Sequence, residues 1–122
     1  MKPPLLIANA FPFSLIYRRV LIEPIEIERA KQLILERGYE SSWGHENTLK
    51  VVNAILGIDL TPKEPRPALV LNEEMLPALY GAAFSEVLLV TPIYRQGFRP
   101  TIGEEVQADA VLGWRTLLMQ FL

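Results

Sequence analysis

The stretch Ser41-Ser42-Trp43-Gly44-His45-Glu46-Asn47-Thr48 carries the only histidine of the chain, set between a glycine and a run whose spacing predicts the first turn of a helix. A helix start exposes backbone N–H groups that lack an intrahelical acceptor and carries a partial positive charge. Gly44, followed by His45, Glu46, Asn47 and Thr48, could therefore cradle an anion such as a phosphate. The glycine allows close approach to the backbone. An imidazole, with an ordinary pKa of about 6.5, could then protonate a leaving oxygen near neutral pH. The competing use is structural: His45 caps the helix or fills space beneath Trp43, and Asn47 and Thr48 serve as capping residues.

Arg66, Arg95 and Arg99 lie in or beside proline-rich, turn-like segments of the second half, where they could converge on an anionic ligand. Arg99 precedes Pro100 and is held extended by it. Asn9 stands at the end of an apolar run, where it presents a polar group or simply makes a turn. Exposed arginines also commonly do no more than solvate a surface. Glu104 and Glu105 read as a solvated pair, and Trp43 and Trp114 as core or interface aromatics.

The elements that must position these residues are legible as follows. Residues 5–10, LLIANA, read as a buried central strand. RRVLIEPIEIE has β-branched character up to Pro24, and Ile27, Ala30, Leu33, Ile34 and Arg37 then recur at helical spacing before Gly38 stops the helix. YESSW reads as a link. A second helix over 46–56 buries Leu49, Val52, Ile55 and Leu56 and ends at Gly57, which puts His45 at its N-terminus. ALVLN and EVLLVTPIY read as strands, the latter the strongest in the chain. NEEMLPALYGAAF between them reads as helical at least in part, with Pro77 interrupting it. ADAVLGWRTLLMQFL fits either a helix or a final strand. Strands alternating with helices, with no internal repeat, predict a single α/β domain over 1–122 with a mixed β-sheet flanked by helices.

Half of the residues are apolar and 21% are charged, the balance of a globular chain. With no cysteine and one histidine, disulfides, thiol nucleophiles and conventional zinc sites are disfavoured, so no cofactor is expected. A net charge of −2 argues against a long nucleic acid held by a basic surface. MKPPLLIANAFPF is broken by prolines and has no cleavage pattern, and no apolar run reaches membrane-spanning length. The expected setting is the cytoplasm, or a host's cytoplasm if the gene is viral.

Taken together, IANAFPFSLI, ERGYESSWGHENTLKVVNAILGIDL and RPALVLNEE resemble the small viral and bacterial ring nucleases, anti-CRISPR proteins that act against type III immunity. The most specific element is Gly-His-Glu-x-Thr entering a helix that ends in Leu-Gly, supported by Asn-Ala-Phe after the first strand. The resemblance implies a homodimer with a pocket for cyclic tetra-adenylate across its two-fold axis. It also implies metal-free cleavage in which a ribose 2′-hydroxyl attacks the neighbouring phosphorus and His45 is the general acid. An isologous interface would present each residue twice to a four-fold repetitive ring.

Carried over residue by residue, the resemblance assigns Asn9, Ser14, Gly44, Asn47, Thr48 and Arg66 to ligand binding and Arg99 to stabilising the reacting phosphate, with Arg95 as its rival. The family's late Arg-x-x-Glu-Gly is RPTIG here. Ile102 stands at the glutamate position, so Glu104 or Glu105 replaces that role or it is absent. Two other readings compete with the enzyme: a protein that binds cyclic oligoadenylate without cleaving it, and a structural adaptor.

Overall fold

Leu5, Leu6, Ile7 and Ala8 form strand β1, and all four are buried, as expected of an apolar run flanked by strands on both sides. The computed structural model describes residues 3–41, 46–63, 68–97, 99 and 111–122, and only the backbone of residues 46–48. In it β1 lies between two parallel neighbours, β3 (Tyr39–Ser41) and β7 (Glu86–Tyr94). The long C-terminal strand β8 (Val111–Phe121) runs antiparallel to β7, and the edge strand β2 (Val20–Ile25) pairs antiparallel with its far side. The order is β2-β8-β7-β1-β3, a mixed five-stranded sheet. Pro24 is tolerated because β2 is an edge strand, where a missing N–H breaks no second ladder.

Alternation along β1 sets the layers. Leu5 and Ile7, with Leu88 and Val90 of β7, face two helices, α1 (Ile27–Arg37) and α2 (Glu46–Leu56). The stripe Ala30, Leu33 and Ile34 of α1 and the stripe Leu49, Val52 and Leu56 of α2 close this core. Gly38 ends α1 at φ 76°, a conformation costly for any residue with a Cβ. Leu6 and Ala8, with Val87, Leu89, Met119 and Phe121, face the other side. That side is covered by a small antiparallel meander of β4 (Val70–Leu71), β5 (Pro77–Leu79) and β6 (Ala82–Ala83), together with the segment around Phe11 and Ile16. The fold is therefore α/β, with helices on one face of a mixed sheet and a β-meander on the other.

Three readings of the sequence change. The span 72–84 is a meander and not a helix. The Asn72 side-chain oxygen accepts hydrogen bonds from the backbone N–H groups of Glu74 and Leu76, both at 2.9 Å, which makes a turn where a helix would need its ladder. YESSW is not merely a link, since Tyr39–Ser41 pairs with Leu5–Ile7 as strand β3. ALVLN contributes only Val70–Leu71 to a strand. The C-terminal segment, open between helix and strand, is strand from Val111 to Phe121.

At the amino edge of the large sheet, the Arg37 side chain is 4% exposed and pairs with Glu86, itself 17% exposed. Arg37 also donates from Nε and from its second terminal nitrogen to the Pro3 carbonyl, at 3.1 and 2.8 Å. Gln120 donates to the other Glu86 oxygen at 3.1 Å. One guanidinium thus ties the end of α1, the start of the chain and the ends of β7 and β8 together. Arg18 plays a similar part at the surface, donating to the carbonyls of Glu74 and Leu122.

Candidate functional site

Because β3, β1 and β7 are parallel and adjacent, their carboxyl ends open on one edge of the sheet. Loops that leave such ends carry ligands in open α/β sheets, since the strands hold them rigidly and the helices leave them uncovered. Asn9 directly follows β1 at this edge and is half-buried. Ser41 closes β3 there with its side chain buried, and α2 begins at Glu46, with Asn47 and Thr48 in its first turn. Gly44, His45 and Arg66 lie outside the described residues, as do Trp43, Ile102, Glu104 and Glu105.

Ser14 sits exposed in a single 3-10 turn, Phe13–Leu15, on a segment that leaves β1 and packs through Phe11 and Ile16 over the meander side. Arg95 follows β7 and Arg99 stands beyond it, both exposed. The last pairing of β7 with β1 is Leu89 with Ala8, and β7 runs on to Tyr94 with β8 as its only partner among the described residues. A strand rise of roughly 3.3 Å per residue carries Arg95 about 17 Å past the level of Asn9. A single chain therefore sets Asn9 and Ser41 on one edge, and holds Arg95 away at the end of a two-stranded ribbon.

The ribbon carries a cation that sequence reading passed over. Arg115 of β8 stands opposite Thr91 and donates to its hydroxyl at 3.1 Å, which fixes the guanidinium on the meander face. Its sequence signal was weak, because an arginine inside LGWRTLLMQ has no turn or proline to single it out. Trp114, read as core or interface, packs partly buried against the helix-side core.

Beside the edge strand β3, on the side of α2, lies a polar recess of about 130 Å³ between Ser41 and the segment Asp59 to Lys63. Asn53 of α2 shapes it: its amide donates to the Leu60 carbonyl at 2.9 Å and its oxygen accepts from the Leu60 N–H at 2.8 Å. Asn53→Ala strands both backbone groups of the buried Leu60. The expected cost is about 2 kcal/mol, a fall of about 8 °C in Tm by differential scanning calorimetry, whereas an unchanged Tm contradicts the clasp. Among the described residues, no group of three His, Cys, Asp or Glu side chains is placed to hold a metal ion. None of the described helices is long and apolar enough to cross a membrane.

No protein-family model and no curated protein matches the chain. Among solved structures it is similar to the B116 protein of Sulfolobus turreted icosahedral virus, with a TM-score of 0.59 at 18% sequence identity. The match covers 96% of this chain and 98% of that one, so a small archaeal-virus protein shares the whole architecture. At this identity the likeness is one of fold, on which unrelated activities can be built.

Proposed function

We propose that the chain is a homodimeric, metal-independent ring nuclease that cleaves cyclic tetra-adenylate to linear di-adenylates and so switches off type III CRISPR signalling. In a virus this disarms the host's immunity, and in a host locus it ends the response; the chemistry is the same. A ribose 2′-oxygen attacks the adjacent phosphorus in line and its proton passes to water. The bond from phosphorus to the 5′-oxygen breaks, and His45 gives that oxygen its proton. The products end in a 2′,3′-cyclic phosphate. The ligand brings its own nucleophile, so the protein needs only to orient it, supply the acid and offset charge on the phosphate.

One observation supports the reading beyond the sequence resemblance: the adjacent parallel strands β1 and β3 bring the Asn9 turn and Ser41, the last residue of β3, to one sheet edge. The outlying position of Arg95 and Arg99 fits the same account. In a two-fold dimer the ribbon of one protomer brings these arginines toward the partner's edge, and every contact is made twice on a symmetric ring. Arg66, Asn47, Thr48 and Ser14 complete the proposed ligand contacts.

Isothermal titration of the slow-cleaving His45→Ala variant with cyclic tetra-adenylate tests the assembly. One ring bound per two chains is expected. One ring per chain contradicts the shared pocket, and no binding returns the chain to the adaptor reading. The alternative of binding without cleavage draws on Ile102 at the family's glutamate position, and it predicts that wild type leaves the ring intact.

A further inference from the structure

We propose that the meander side of the edge strand β3 carries a second site, for a single nucleotide whose base bears an exocyclic amino group, in a cavity of about 250 Å³ that shares Glu40, Ser41 and Lys63 with the recess beside α2. The site is independent of ring cleavage. Glu40 pairs in register with Leu6, which faces the meander core, so Glu40 lines the meander side of β3 and α2 lies on the other. The cavity floor is Leu79 and Phe84, both buried, and its polar rim is Glu40, Ser41 and Lys63. Pro4, Tyr80 and Ala82 complete the lining.

Tyr80 is the observation that asks for a ligand. Tyr80 and Gly81 form a two-residue turn between the paired residues Leu79 and Ala82, at φ 50° and φ 85°. This is the geometry of a type I′ hairpin turn, in which asparagine or glycine is the inexpensive first residue. A tyrosine held there is strained, and the residue is 86% exposed, so it contributes little to the core. Strain kept at an exposed residue is a mark of a binding role.

The three chemistries around the cavity select the ligand class. An aromatic ring over an apolar floor takes the face of a base, a stacking mode open to every base. The Lys63 ammonium takes an anionic phosphate, and the Glu40 carboxylate accepts only from a donor such as an exocyclic amino group. The volume lies below the roughly 300–1,000 Å³ of pockets that enclose drug-sized ligands, so it admits one base and not a ring of four nucleotides.

Adenosine 5′-monophosphate is the probe, titrated into 15N-labelled protein and followed by amide shifts. The expected shifts centre on Glu40, Lys63 and Tyr80. Tyr80→Gly suits the positive φ and should keep the fold while weakening binding about tenfold. Lys63→Met should weaken it comparably, and adenosine, lacking the phosphate, should bind less tightly than the adenylate. Shifts at Glu40, Lys63 and Tyr80 without accompanying shifts at Asn9 separate this site from the proposed cleavage site. Affinities unmoved by both Tyr80→Gly and Lys63→Met, or shifts confined to the Asn9 and α2 edge, overturn the proposal.

Discussion

Replacing His45 with alanine is expected to slow cleavage of bound cyclic tetra-adenylate about 10²–10⁴-fold, the range that a positioned general acid supplies. The effect should fall on the chemical step. A proton donor acts on the 5′-oxygen as negative charge develops there, and makes no comparable demand on the intact ring, so affinity should change little. The fold should also survive the change. Helix α2 is held by Leu49, Val52 and Leu56, which share a core with residues of β1 and β7. Equal Tm values with a hundredfold or greater loss in single-turnover rate would assign the histidine to chemistry. A cap residue predicts the reverse: a lower Tm and, once the fold is restored by cooler conditions, a rate near wild type.

The largest structural effect is expected at the other edge of the sheet. Glu86→Ala leaves the Arg37 guanidinium buried at 4% exposure without its carboxylate, and removing one partner of a buried pair typically costs about 3–5 kcal/mol. Against a total stability of about 5–15 kcal/mol this is a large fraction. Arg37→Met combined with Glu86→Leu should recover much of the loss, because the doubly apolar pair leaves no buried charge, although Pro3 and Gln120 lose their partners. Urea unfolding of the single and double variants measures this directly. A cost below about 1 kcal/mol for Glu86→Ala would show that solvent reaches the pair and that it does not anchor the sheet.

Local pattern and long-range pairing divided what the sequence could reveal. Helices α1 and α2 have the predicted bounds because each carries a complete apolar stripe and a glycine stop, signals contained within eleven residues. Strand β7 was equally plain as a continuous apolar run. Strand β3 was missed because Tyr-Glu-Ser has no alternation long enough to register, and what makes it a strand is its pairing with Leu5, Leu6 and Ile7. The meander was misread because its leucines, alanines and glutamates favour helix, while the deciding contacts are one asparagine side chain and a two-residue turn. Strand β8 was ambiguous because it is apolar on both faces, with Leu117, Met119 and Phe121 toward the meander and Trp114 and Leu118 toward the helices.

The candidate site divided along the same line. Its residue types were visible in the sequence, but their grouping was not: Asn9 and Ser41 share an edge only because β1 and β3 are parallel neighbours. The ribbon that carries Arg95 outward follows from β7 outrunning β1, a difference in strand length that no local pattern encodes. Arg37 illustrates both halves. Its helical spacing placed it on the buried face of α1, whereas the carboxylate that makes its burial tolerable lies 49 residues away in sequence.

The central claim is metal-free cleavage of the ring, and the most direct measurement is a single-turnover incubation of radiolabelled cyclic tetra-adenylate with excess wild-type protein in EDTA. The account predicts conversion to linear di-adenylates that carry a 2′,3′-cyclic phosphate. An intact ring recovered after prolonged incubation with excess protein, or cleavage that EDTA abolishes, would contradict it.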